Sequence, residues 1–566
     1  MSIMDISNLR WWGWGTLDQT FSLQGRPNFW PSLRAWLELP DDQPQKPAVS
    51  LAEIDLRPGR LDDPVLNSLY RLLGQAVVRT DLQCRVEHAA GKSYRDLVQV
   101  RAGTIPNPPD AVVYPADEGQ VAAILTWAAD RDIAVVPFGG GSGVLGAVEP
   151  MPGEQLTLTL DTAQLDRLVA LDRISHTARI QAGATGPEVE RQLNEHGFTL
   201  GHFPQSFEFS TLGGWIATRA AGQTSTGYGK IEDMTQAVRL VTPGGIITTK
   251  NTPASAAGPS LLQMLIGSEG AYGVITEATM RVRPYPQVQD YRGFLFRSFA
   301  DGIAALRDLM QSGLRPTIAR LSDAAETTGF SALTHEHHGM RALIDRALEA
   351  YLKQRQYQIG GGSCLLLLGR DGHPQELGPF WKAANDLCAD HRGLRLGKSA
   401  GKSWKRDRFA HPYLRDIMMD AGVMVDTLET ATTWSNLPRL YDEMTTAVRA
   451  AIQSSGGGPG YVMTHISHVY QWGASLYTTF LGRQLPGREI EQWWSVKREA
   501  TETILAAGGT LSHHHGVGRD HAEWLAEEVG PVGMTILQAV KQALDPEGIM
   551  NPGVLIPLGE KDKETR

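Results

Sequence analysis

The sequence predicts an α+β protein built from α/β segments, with two lobes that follow an N-terminal helical leader. Three observations support this fold class. The 566 residues exceed the roughly 250–300 at which a single hydrophobic core stops growing. Strand-like and helix-like segments alternate from about residue 105 onward. The 60 glycines are concentrated in a few loops, so we expect those loops to carry the functional site.

The composition excludes two broad classes of protein. Apolar residues make up 42% of the chain and charged residues 20%, a balance typical of globular proteins rather than disordered ones. The 53 basic and 62 acidic residues give a formal net charge of −9. A chain this acidic has no overall electrostatic reason to bind nucleic acid.

The expected location is the cytoplasm. Cys84, Cys364 and Cys388 are an odd number of cysteines without metal-type spacing, which favours a reducing compartment. The strongest apolar run, at residues 364–368, is far shorter than the roughly 20 residues needed to cross a bilayer. The N-terminus lacks the basic-then-apolar pattern of a signal peptide. Peripheral contact with a membrane surface and a homodimer are left open.

Residues 1–104 form the predicted leader. Five of the fourteen tryptophans lie within the first 36 residues, and the segment Arg-Trp-Trp-Gly-Trp-Gly occupies positions 10–15. Large aromatic side chains serve packing more often than recognition. We therefore favour an anchor that lies across the main body over a surface for a hydrophobic substrate or a membrane.

Residues 105–286 form the predicted first lobe. Short apolar segments alternate with segments at helical spacing. Asp117 is well placed to begin a helix, and Pro187 suits the first turn of another. The predicted strands are 111–114, 133–136, 156–160 and 177–182, and the predicted helices are 117–129 and 187–193.

Residues 287–505 form the predicted second lobe, a cap that holds the substrate, and residues 506–566 form a C-terminal segment. In the cap, the strand candidates are 294–296, 364–368 and 476–480, and the amphipathic helix candidates are 301–310 and 438–452. The C-terminal segment carries three consecutive histidines at 513–515. We expect it to return these histidines to the site in the first lobe.

The glycine-rich loop after residues 133–136 is not a Rossmann dinucleotide motif. Residues 141–146 match G-x-G-x-x-G, and Asp161 lies 20 residues beyond Gly141. That motif requires a helix after its last glycine, whereas Pro150 and Pro152 forbid a helix interior here. The remaining interpretation is a loop whose backbone N–H groups hold a pyrophosphate.

Two further segments, 204–222 and 267–275, combine small residues with Ser and Thr. Together with the glycine loop they resemble the PCMH-type FAD-binding domain of the vanillyl-alcohol oxidase and p-cresol methylhydroxylase superfamily. The resemblance implies an FAD cofactor. It also implies noncovalent binding, because Gly141 stands where some members carry a histidine that tethers the flavin.

The resemblance assigns the cofactor-binding residues to three groups. The first would hold the pyrophosphate and comprises Pro137, Phe138, Gly139, Gly140, Gly141, Ser142 and Gly143. The second would line the isoalloxazine and ribityl chain and comprises Gln205, Ser206, Phe207, Glu208, Phe209, Ser210, Thr211, Thr218, Arg219, Ala220 and Ala221. The third would close the far side and comprises Glu269, Gly270, Gly273, Val274 and Ile275.

Three longer motifs, at 10–15, 209–219 and 511–518, are similar to those of the alkyldihydroxyacetonephosphate synthase family. Shorter matches at 320–323, 413–416 and 473–477 extend the resemblance into the second lobe. The resemblance implies an FAD-dependent ether-lipid enzyme that exchanges the acyl group of acyl-dihydroxyacetone phosphate for a fatty alcohol. In that family the exchange proceeds through an adduct at flavin N5 and without net redox change.

The same resemblance implies residue roles. Tyr477 would remove the C1 proton, and Arg415 would bind the substrate's phosphate or carboxylate. Arg320 would be a second substrate-binding residue, or would brace the wall that faces the flavin. Without the resemblance, Tyr477 would be interpreted as a core tyrosine and Arg415 as a surface charge.

His513, His514 and His515 would orient Tyr477, relay the alcohol proton or stabilise the leaving carboxylate. If the triplet lies in a strand, its neighbours alternate faces, so one or two of the three would be structural. No carboxylate follows the triplet at close spacing, and the same holds for His465 and His468. We therefore expect no metal site.

Two alternatives stay open. The FAD-linked D-2-hydroxy-acid dehydrogenases, which act on D-lactate or glycolate, typically carry Ser-Gly-Glu-His-Gly-Ile-Gly where this chain has residues 512–518, so His514 replaces the glutamate. They also carry Gly-Asp-Gly-Asn-Leu-His where this chain has 471–477, although the ending at 548–553 is similar to theirs. The second alternative is a non-catalytic flavin-binding protein.

Overall fold

The computed structural model describes residues 8–41, 43, 45–334 and 350–557. Its strands are β1 (Val78–Arg79), β2 (Ala111–Val113), β3 (Ala134–Phe138), β4 (Thr157–Asp161), β5 (Leu168–Asp172), β6 (Thr177–Gln181), β7 (Phe198–Thr199), β8 (Thr235–Thr242), β9 (Gly245–Thr248), β10 (Val274–Arg281), β11 (Arg283–Pro284), β12 (Val288–Phe296), β13 (Ile318–Ser322), β14 (Cys364–Gly372), β15 (Leu394–Gly397), β16 (Val423–Thr433), β17 (Tyr461–Ile466) and β18 (Gly473–Arg483).

Several helices begin at a residue whose side chain accepts a hydrogen bond from the first turn, as Asp117 does from the N–H of Gln120. No helix within the described ranges is long and apolar enough to span a bilayer. The helices are Phe29–Leu37, Asp63–Leu73, Leu82–Glu87, Tyr94–Arg101, Glu118–Ala129, Gly186–Asn194, Leu212–Ala217, Ser225–Tyr228, Ile231–Met234, Leu261–Leu265, Phe299–Gln311, Ala324–Ala332, Pro374–Asp390, Ser399–Asp407, His411–Asp420, Leu437–Ser454, Glu489–Ala506 and Leu525–Leu544.

The first lobe holds two sheets. In one, with the order β1-β2-β4-β3, the strands β2, β4 and β3 are parallel. The other is antiparallel, with the order β5-β6-β10-β8-β9. The strands predicted for this lobe lie within two residues of the observed bounds. The glycine loop follows β3 directly, at the carboxyl edge of the parallel strands, where α/β folds place their ligands.

The leader is continuous with both lobes. Val78 of β1 pairs with Val113 of β2, so the leader adds a strand to the parallel sheet. A two-residue strand has no periodicity, so it leaves no signal from which it could be predicted. The helix Phe29–Leu37 buries one face in the core of the second lobe. The leader therefore contains a strand in addition to its helices, and it ties the two lobes together.

The second lobe is a seven-stranded antiparallel sheet with the order β15-β12-β14-β13-β17-β18-β16. Helices on one face form a continuous apolar core with it. Along β18, Leu476 and Phe480 belong to this core, whereas Tyr477 and Thr479 border a cavity on the opposite face. This alternation, together with the two lobes, confirms the predicted α+β architecture.

The strand register places four side chains in a row across this sheet. Ser322 of β13 lies opposite His465 of β17, which lies opposite Tyr477 of β18. Tyr477 in turn lies opposite Glu429 of β16. Because directly opposed residues point to the same face, the register places these groups on the side of the sheet that faces the cavity, where His465 and Tyr477 line it.

The C-terminal segment runs back to the first lobe. The N–H of Asn551 donates to the carbonyl oxygen of Val135 (2.9 Å), and the N–H of Val135 donates to that of Ile549 (2.8 Å). Residues 549–551 therefore lie beside β3. This return path carries residues 512–518 between the two lobes.

Candidate active site

A cavity of about 470 Å³ lies where the two lobes, the leader and the C-terminal segment meet. The glycine loop and the segments 204–223 and 269–275 form its floor. The seven-stranded sheet and the helix His411–Asp420 form a polar wall. The leader closes an apolar end. The segments that the sequence analysis singled out therefore converge on one site.

The glycine loop fits a pyrophosphate. The backbone N–H groups of residues 139–143 donate to no acceptor in the part of the chain that the structure describes, and they border the cavity. A Cβ at Gly140 would lie 1.8 Å from the carbonyl oxygen of Phe209. Gly141 has a φ of +59°, which favours glycine. Glycine at positions 140 and 141 is therefore needed for this loop conformation, and the free N–H groups of the loop suit an anion.

Most of the predicted cofactor-binding residues line this cavity. They are Pro137, Phe138, Gly139, Gly140, Gly141, Ser142, Gly143, Gln205, Ser206, Ser210, Thr211, Thr218, Ala220, Ala221, Glu269, Gly270, Gly273, Val274 and Ile275. Phe207, Glu208, Phe209 and Arg219 do not line it, and their assignment to the cofactor stays a prediction.

The two phenylalanines and Glu208 point away because residues 204–210 fold as successive turns rather than as a strand. Phe207 stacks on Phe409, with ring centroids 5.1 Å apart. Phe209 makes an edge contact with Trp14 at 5.5 Å. Glu208 accepts a hydrogen bond from the Tyr413 hydroxyl (3.2 Å).

Arg219 and Glu269 are held by protein partners. Arg219 has a φ of +52°, and its guanidinium donates to the carbonyl oxygen of Gln263 (2.9 Å). Glu269 borders the cavity, but its two carboxylate oxygens accept the N–H groups of Val517 (2.7 Å) and Gly518 (2.8 Å). Burial raises the pKa of Glu269 to about 7, against the effect of these bonds. Glu269 thus ties the C-terminal segment to the floor.

Tyr477 lies among three imidazole rings. Its ring stacks on that of His465, with the ring centroids 4.9 Å apart. The ring centroids of His514 and His515 lie 5.8 and 5.7 Å from that of Tyr477. Burial raises the pKa of Tyr477, and the charge of Arg415 acts against this rise. A phenol in this setting gives up its proton only when cationic or hydrogen-bonding groups favour the phenolate.

The carboxylate of Glu429 organises the histidine triplet. It accepts the backbone N–H groups of His513 (2.6 Å), His514 (3.2 Å) and His515 (3.0 Å), and the hydroxyl of Ser512 (2.7 Å). The triplet is therefore a turn wrapped around one carboxylate and not a strand, so the alternation expected for a strand does not apply. Burial alone would raise the pKa of Glu429, but the neighbouring imidazoles hold it well below its usual range.

The three histidines do not occupy equivalent positions. His514 and His515 line the cavity, whereas His513 does not. His513 Nε2 lies 2.7 Å from the Tyr470 hydroxyl, behind the cavity wall. Burial, reinforced by the charge of His514, lowers the pKa of His515 to about 3. His513 Nδ1 lies 3.0 Å from His514 Nδ1, so His513 reaches the cavity through His514, and its own site role stays a prediction.

His468, His513 and His514 present ring nitrogens within 4.8 Å of one another, as a metal site would. Two of these rings already have partners. His468 Nδ1 lies 2.5 Å from the hydroxyl of Ser225, and His513 bonds to Tyr470. Hydrogen bonds therefore account for the orientation of both rings.

The two predicted arginines differ in their surroundings. Arg320 donates to Glu326 (2.9 Å) and to His465 Nε2 (3.0 Å), so it braces the wall. Arg415 lines the cavity and has no carboxylate within ion-pair distance among the described residues. Burial lowers the pKa of Arg415. An unpaired, buried guanidinium suits an anionic ligand.

The apolar end of the cavity corresponds to the less favoured of the two interpretations of the leader tryptophans, contact with a hydrophobic substrate. Trp14 and Trp36 line it, although Trp11 packs in a buried cluster as the anchor hypothesis expects. Trp36 stacks on Tyr461 at 4.2 Å. Further apolar residues along this end are Phe29, Leu33, Leu333, Met418, Met463 and Leu481.

Comparisons with known proteins agree with this geometry. The family model described as "FAD binding domain" matches residues 109–250, and "FAD linked oxidases, C-terminal domain" matches residues 285–555. The predicted cofactor, FAD, is thereby confirmed. The solved structure of p-cresol methylhydroxylase has a TM-score of 0.64 at 16% identity and covers 88% of this chain and 98% of that one. It shares the fold.

Two proteins that are more similar to this chain than p-cresol methylhydroxylase is are both alkyldihydroxyacetonephosphate synthases. The chain is 35% identical to the alkyldihydroxyacetonephosphate synthase of Dictyostelium discoideum over 539 residues, which cover 93% of this chain and 88% of that protein. A solved alkyldihydroxyacetonephosphate synthase structure has a TM-score of 0.84 at 30% identity and covers 97% of this chain and 98% of that one. The chain therefore belongs to the alkyldihydroxyacetonephosphate synthase family of FAD-linked proteins.

Proposed function

We propose that the protein exchanges the acyl group of acyl-dihydroxyacetone phosphate for a fatty alcohol, with FAD bound in the cavity. One observation carries this proposal. A single cavity joins an anion-binding floor, an unpaired arginine, a tyrosine among imidazoles and an apolar end. The substrate has the same sequence of parts, which are a phosphate, a reacting carbon and a long alkyl chain.

The residues present fit FAD. The free N–H groups of residues 139–143 would hold its pyrophosphate. Gln205, Thr211, Thr218 and Ile275 are among the side chains that would lie along the ring and ribityl chain. Gly141 offers no side chain for a covalent link, which supports noncovalent binding. When bound, FAD would supply an electron sink beside the carbon that loses its carboxylate.

The chain's own groups would position the substrate and move its protons. Arg415 would bind the phosphate. As the phenolate, which the positive charge of Arg415 favours, the Tyr477 oxygen would take the C1 proton and become the neutral phenol. His515, which is neutral at physiological pH because burial lowers its pKa to about 3, would accept the proton of the incoming alcohol. Glu429 would keep these imidazoles in place.

The apolar end would hold the alkyl chains and exclude water. Trp36, Met463 and Leu481 offer an apolar lining of the kind that binds an alkyl chain by the hydrophobic effect. Water in this site would compete with the alcohol for the reacting carbon. A dry channel therefore favours ether formation over hydrolysis.

The assay that tests this function uses the holoenzyme, acyl-dihydroxyacetone phosphate and a radiolabelled fatty alcohol, without an electron acceptor. We expect label in an ether product and one fatty acid released for each ether formed. Parallel reactions with D-lactate or glycolate and a dye acceptor test the dehydrogenase alternative. Dye reduction without ether formation would overturn the proposal.

We further propose that the enzyme works in the cytoplasm and meets its lipid substrate at a membrane surface. The support is the chemistry of a substrate with a long alkyl chain, together with the apolar channel. A homodimer is supported by the exposed apolar residues Val532 and Ile536 on the helical segment that follows the kink at Gly530, together with Val529 just before that kink. Vesicle co-sedimentation tests the first idea, and light scattering after gel filtration tests the second.

A further inference from the structure

Lys92, in the leader, borders the same cavity as Arg415. Its backbone N–H donates to the carbonyl oxygen of Gly143 (2.7 Å), which fixes the leader against the glycine loop. Its ammonium makes one long contact, to the carbonyl oxygen of Arg10 (3.4 Å). Within the described ranges no carboxylate lies within ion-pair distance of it. The ammonium is thus held at the cavity without a charged partner.

The turn at residues 10–15 explains why the nearest acid does not pair with Lys92. The carboxylate of Asp416 accepts the backbone N–H of Trp14 (2.9 Å) and lies 3.6 Å from the guanidinium of Arg10. These two contacts direct the charge of Asp416 toward residues 10–15 and away from an ion pair with Lys92. Lys92 and Arg415 are left facing the cavity.

The two cations are close enough to affect each other. Burial is the main cause that lowers the pKa of Lys92 to about 8; the negative charge of Asp416 acts against this shift, and the positive charge of Arg415 contributes to it. Two half-buried cations that border one cavity without an ion-pair partner among the described residues are unfavourable in the free protein. An anion bound between them removes this cost. A phosphate monoester, which carries nearly two negative charges at neutral pH, matches two cations.

We infer that Lys92 is a second phosphate-binding residue, which acts with Arg415 on the phosphate monoester of the substrate. This inference rests on the proposed function. FAD also carries phosphate groups, and Lys92 contacts the glycine loop through its backbone. The electrostatic interaction between Lys92 and Arg415 favours the substrate as the source, because Arg415 borders the reacting end of the cavity with Tyr477.

The test compares Lys92→Met, Lys92→Arg and the control Lys382→Met, an exposed lysine on the helix Pro374–Asp390. Three quantities are measured. They are the dissociation constant of dihydroxyacetone phosphate from the holoenzyme by calorimetry, that of FAD from the apoprotein, and the kcat and KM of turnover. Inorganic phosphate serves as a second probe that requires no turnover.

We expect Lys92→Met to weaken dihydroxyacetone phosphate binding about 10- to 100-fold, as loss of a charge-assisted hydrogen bond does. KM should rise similarly, with a smaller change in kcat. FAD binding should change less than about twofold, and Lys92→Arg should restore most of the phosphate affinity. The control should match the unmodified protein. A structural role for Lys92 would not give this charge-dependent rescue.

Weaker FAD binding with unchanged dihydroxyacetone phosphate binding would overturn the inference and assign Lys92 to the cofactor. Unchanged binding of both would overturn it as well. Failure of the proposed function can be distinguished from failure of this inference, because the calorimetric binding measurement does not depend on ether formation. If no ether forms but inorganic phosphate still requires Lys92 and Arg415, the anion site stands and the acyl exchange does not.

Discussion

Glu429 and Tyr477 lie directly opposite each other on the paired strands β16 and β18. Tyr477 borders the cavity, while the carboxylate of Glu429 accepts the backbone N–H groups of all three consecutive histidines. One strand pair therefore fixes both the phenol and the imidazoles that surround it. Glu429 acts through the histidines and is a positioning residue.

Replacing Glu429 with Gln should disturb the histidine turn. An amide presents an NH₂ group to backbone donors, so at least one of the four hydrogen bonds is lost and a buried donor is left unpaired. We expect a loss of about 2–4 kcal/mol in unfolding free energy and at least a tenfold lower kcat. Thermal unfolding measures the loss of stability, and steady-state turnover measures the loss in kcat.

The matched control is Glu528→Gln. Glu528 accepts the hydroxyl of Thr510 (2.7 Å) and the N–H of Leu511 (3.0 Å), just before the triplet and away from the cavity. Because this residue is exposed, its replacement should change both quantities little. Equal effects of the two substitutions would contradict a special role for Glu429.

Removing the hydroxyl of Tyr477 should stop turnover while FAD stays bound. We expect Tyr477→Phe to lower kcat by about 10²- to 10⁴-fold, the contribution of a positioned general base. The visible absorbance of the purified protein reports the retained cofactor. Tyr470→Phe, behind His513, should cost far less. A fully active Tyr477→Phe enzyme would rule out the base assignment.

The three histidines should differ in their importance. His514 and His515 border the cavity, whereas His513 bonds to Tyr470. We expect His515→Gln and His514→Gln to lower kcat more than His513→Gln does, by at least tenfold. Steady-state kinetics at saturating substrate give the comparison. A larger loss for His513→Gln would place the reacting alcohol elsewhere.

The low pKa of His515 predicts a pH dependence of stability. Burial lowers the pKa to about 3 in the folded protein, against about 6.5 in the unfolded chain. Between these values the unfolded chain binds the proton, so the folded state loses stability as pH falls below 6.5. The unfolding free energy of the unmodified protein, relative to His515→Gln, should therefore fall by about 2 kcal/mol from pH 7 to pH 5. A constant difference between the two proteins would mean that His515 titrates normally.

Narrowing the apolar end should change chain-length preference. Met463 borders the cavity near Gly329, where a Cβ would lie 3.5 Å from the methionine sulfur. Met463→Trp should raise KM for long-chain alcohols several-fold and affect short-chain alcohols little, whereas Met463→Leu preserves volume and should resemble the unmodified enzyme. KM values for a series of alcohols of increasing chain length show whether the substitution changes the chain-length preference. A uniform change across all chain lengths would place the alkyl chain outside this channel.

The sequence predicted the segments of the site well and their side-chain orientations less well. The strands near residues 111, 134, 157 and 177 were placed closely, because alternation and turn residues mark them locally. Phe207, Glu208 and Phe209 do not line the cavity, and the sequence could not show this because a resemblance assigns a whole segment and a chain of turns has no periodicity from which to infer side-chain direction.

Glu429 and Lys92 were missed for a different reason. Glu429 is one carboxylate in an otherwise ordinary strand, and its role follows only from the pairing of β16 with β18, 48 residues apart at Tyr477. Lys92 reaches the cavity only because the leader folds back onto the glycine loop. Contacts between distant segments leave no local pattern in a single sequence.

The most direct test of acyl exchange is an anaerobic titration of the yellow holoenzyme. Acyl-dihydroxyacetone phosphate should change the flavin absorbance as fatty acid is released. Addition of a fatty alcohol should then restore the absorbance without any electron acceptor. The account would be contradicted if the lipid left the flavin absorbance unchanged while D-lactate or glycolate bleached it. In that case only an electron acceptor would restore the absorbance.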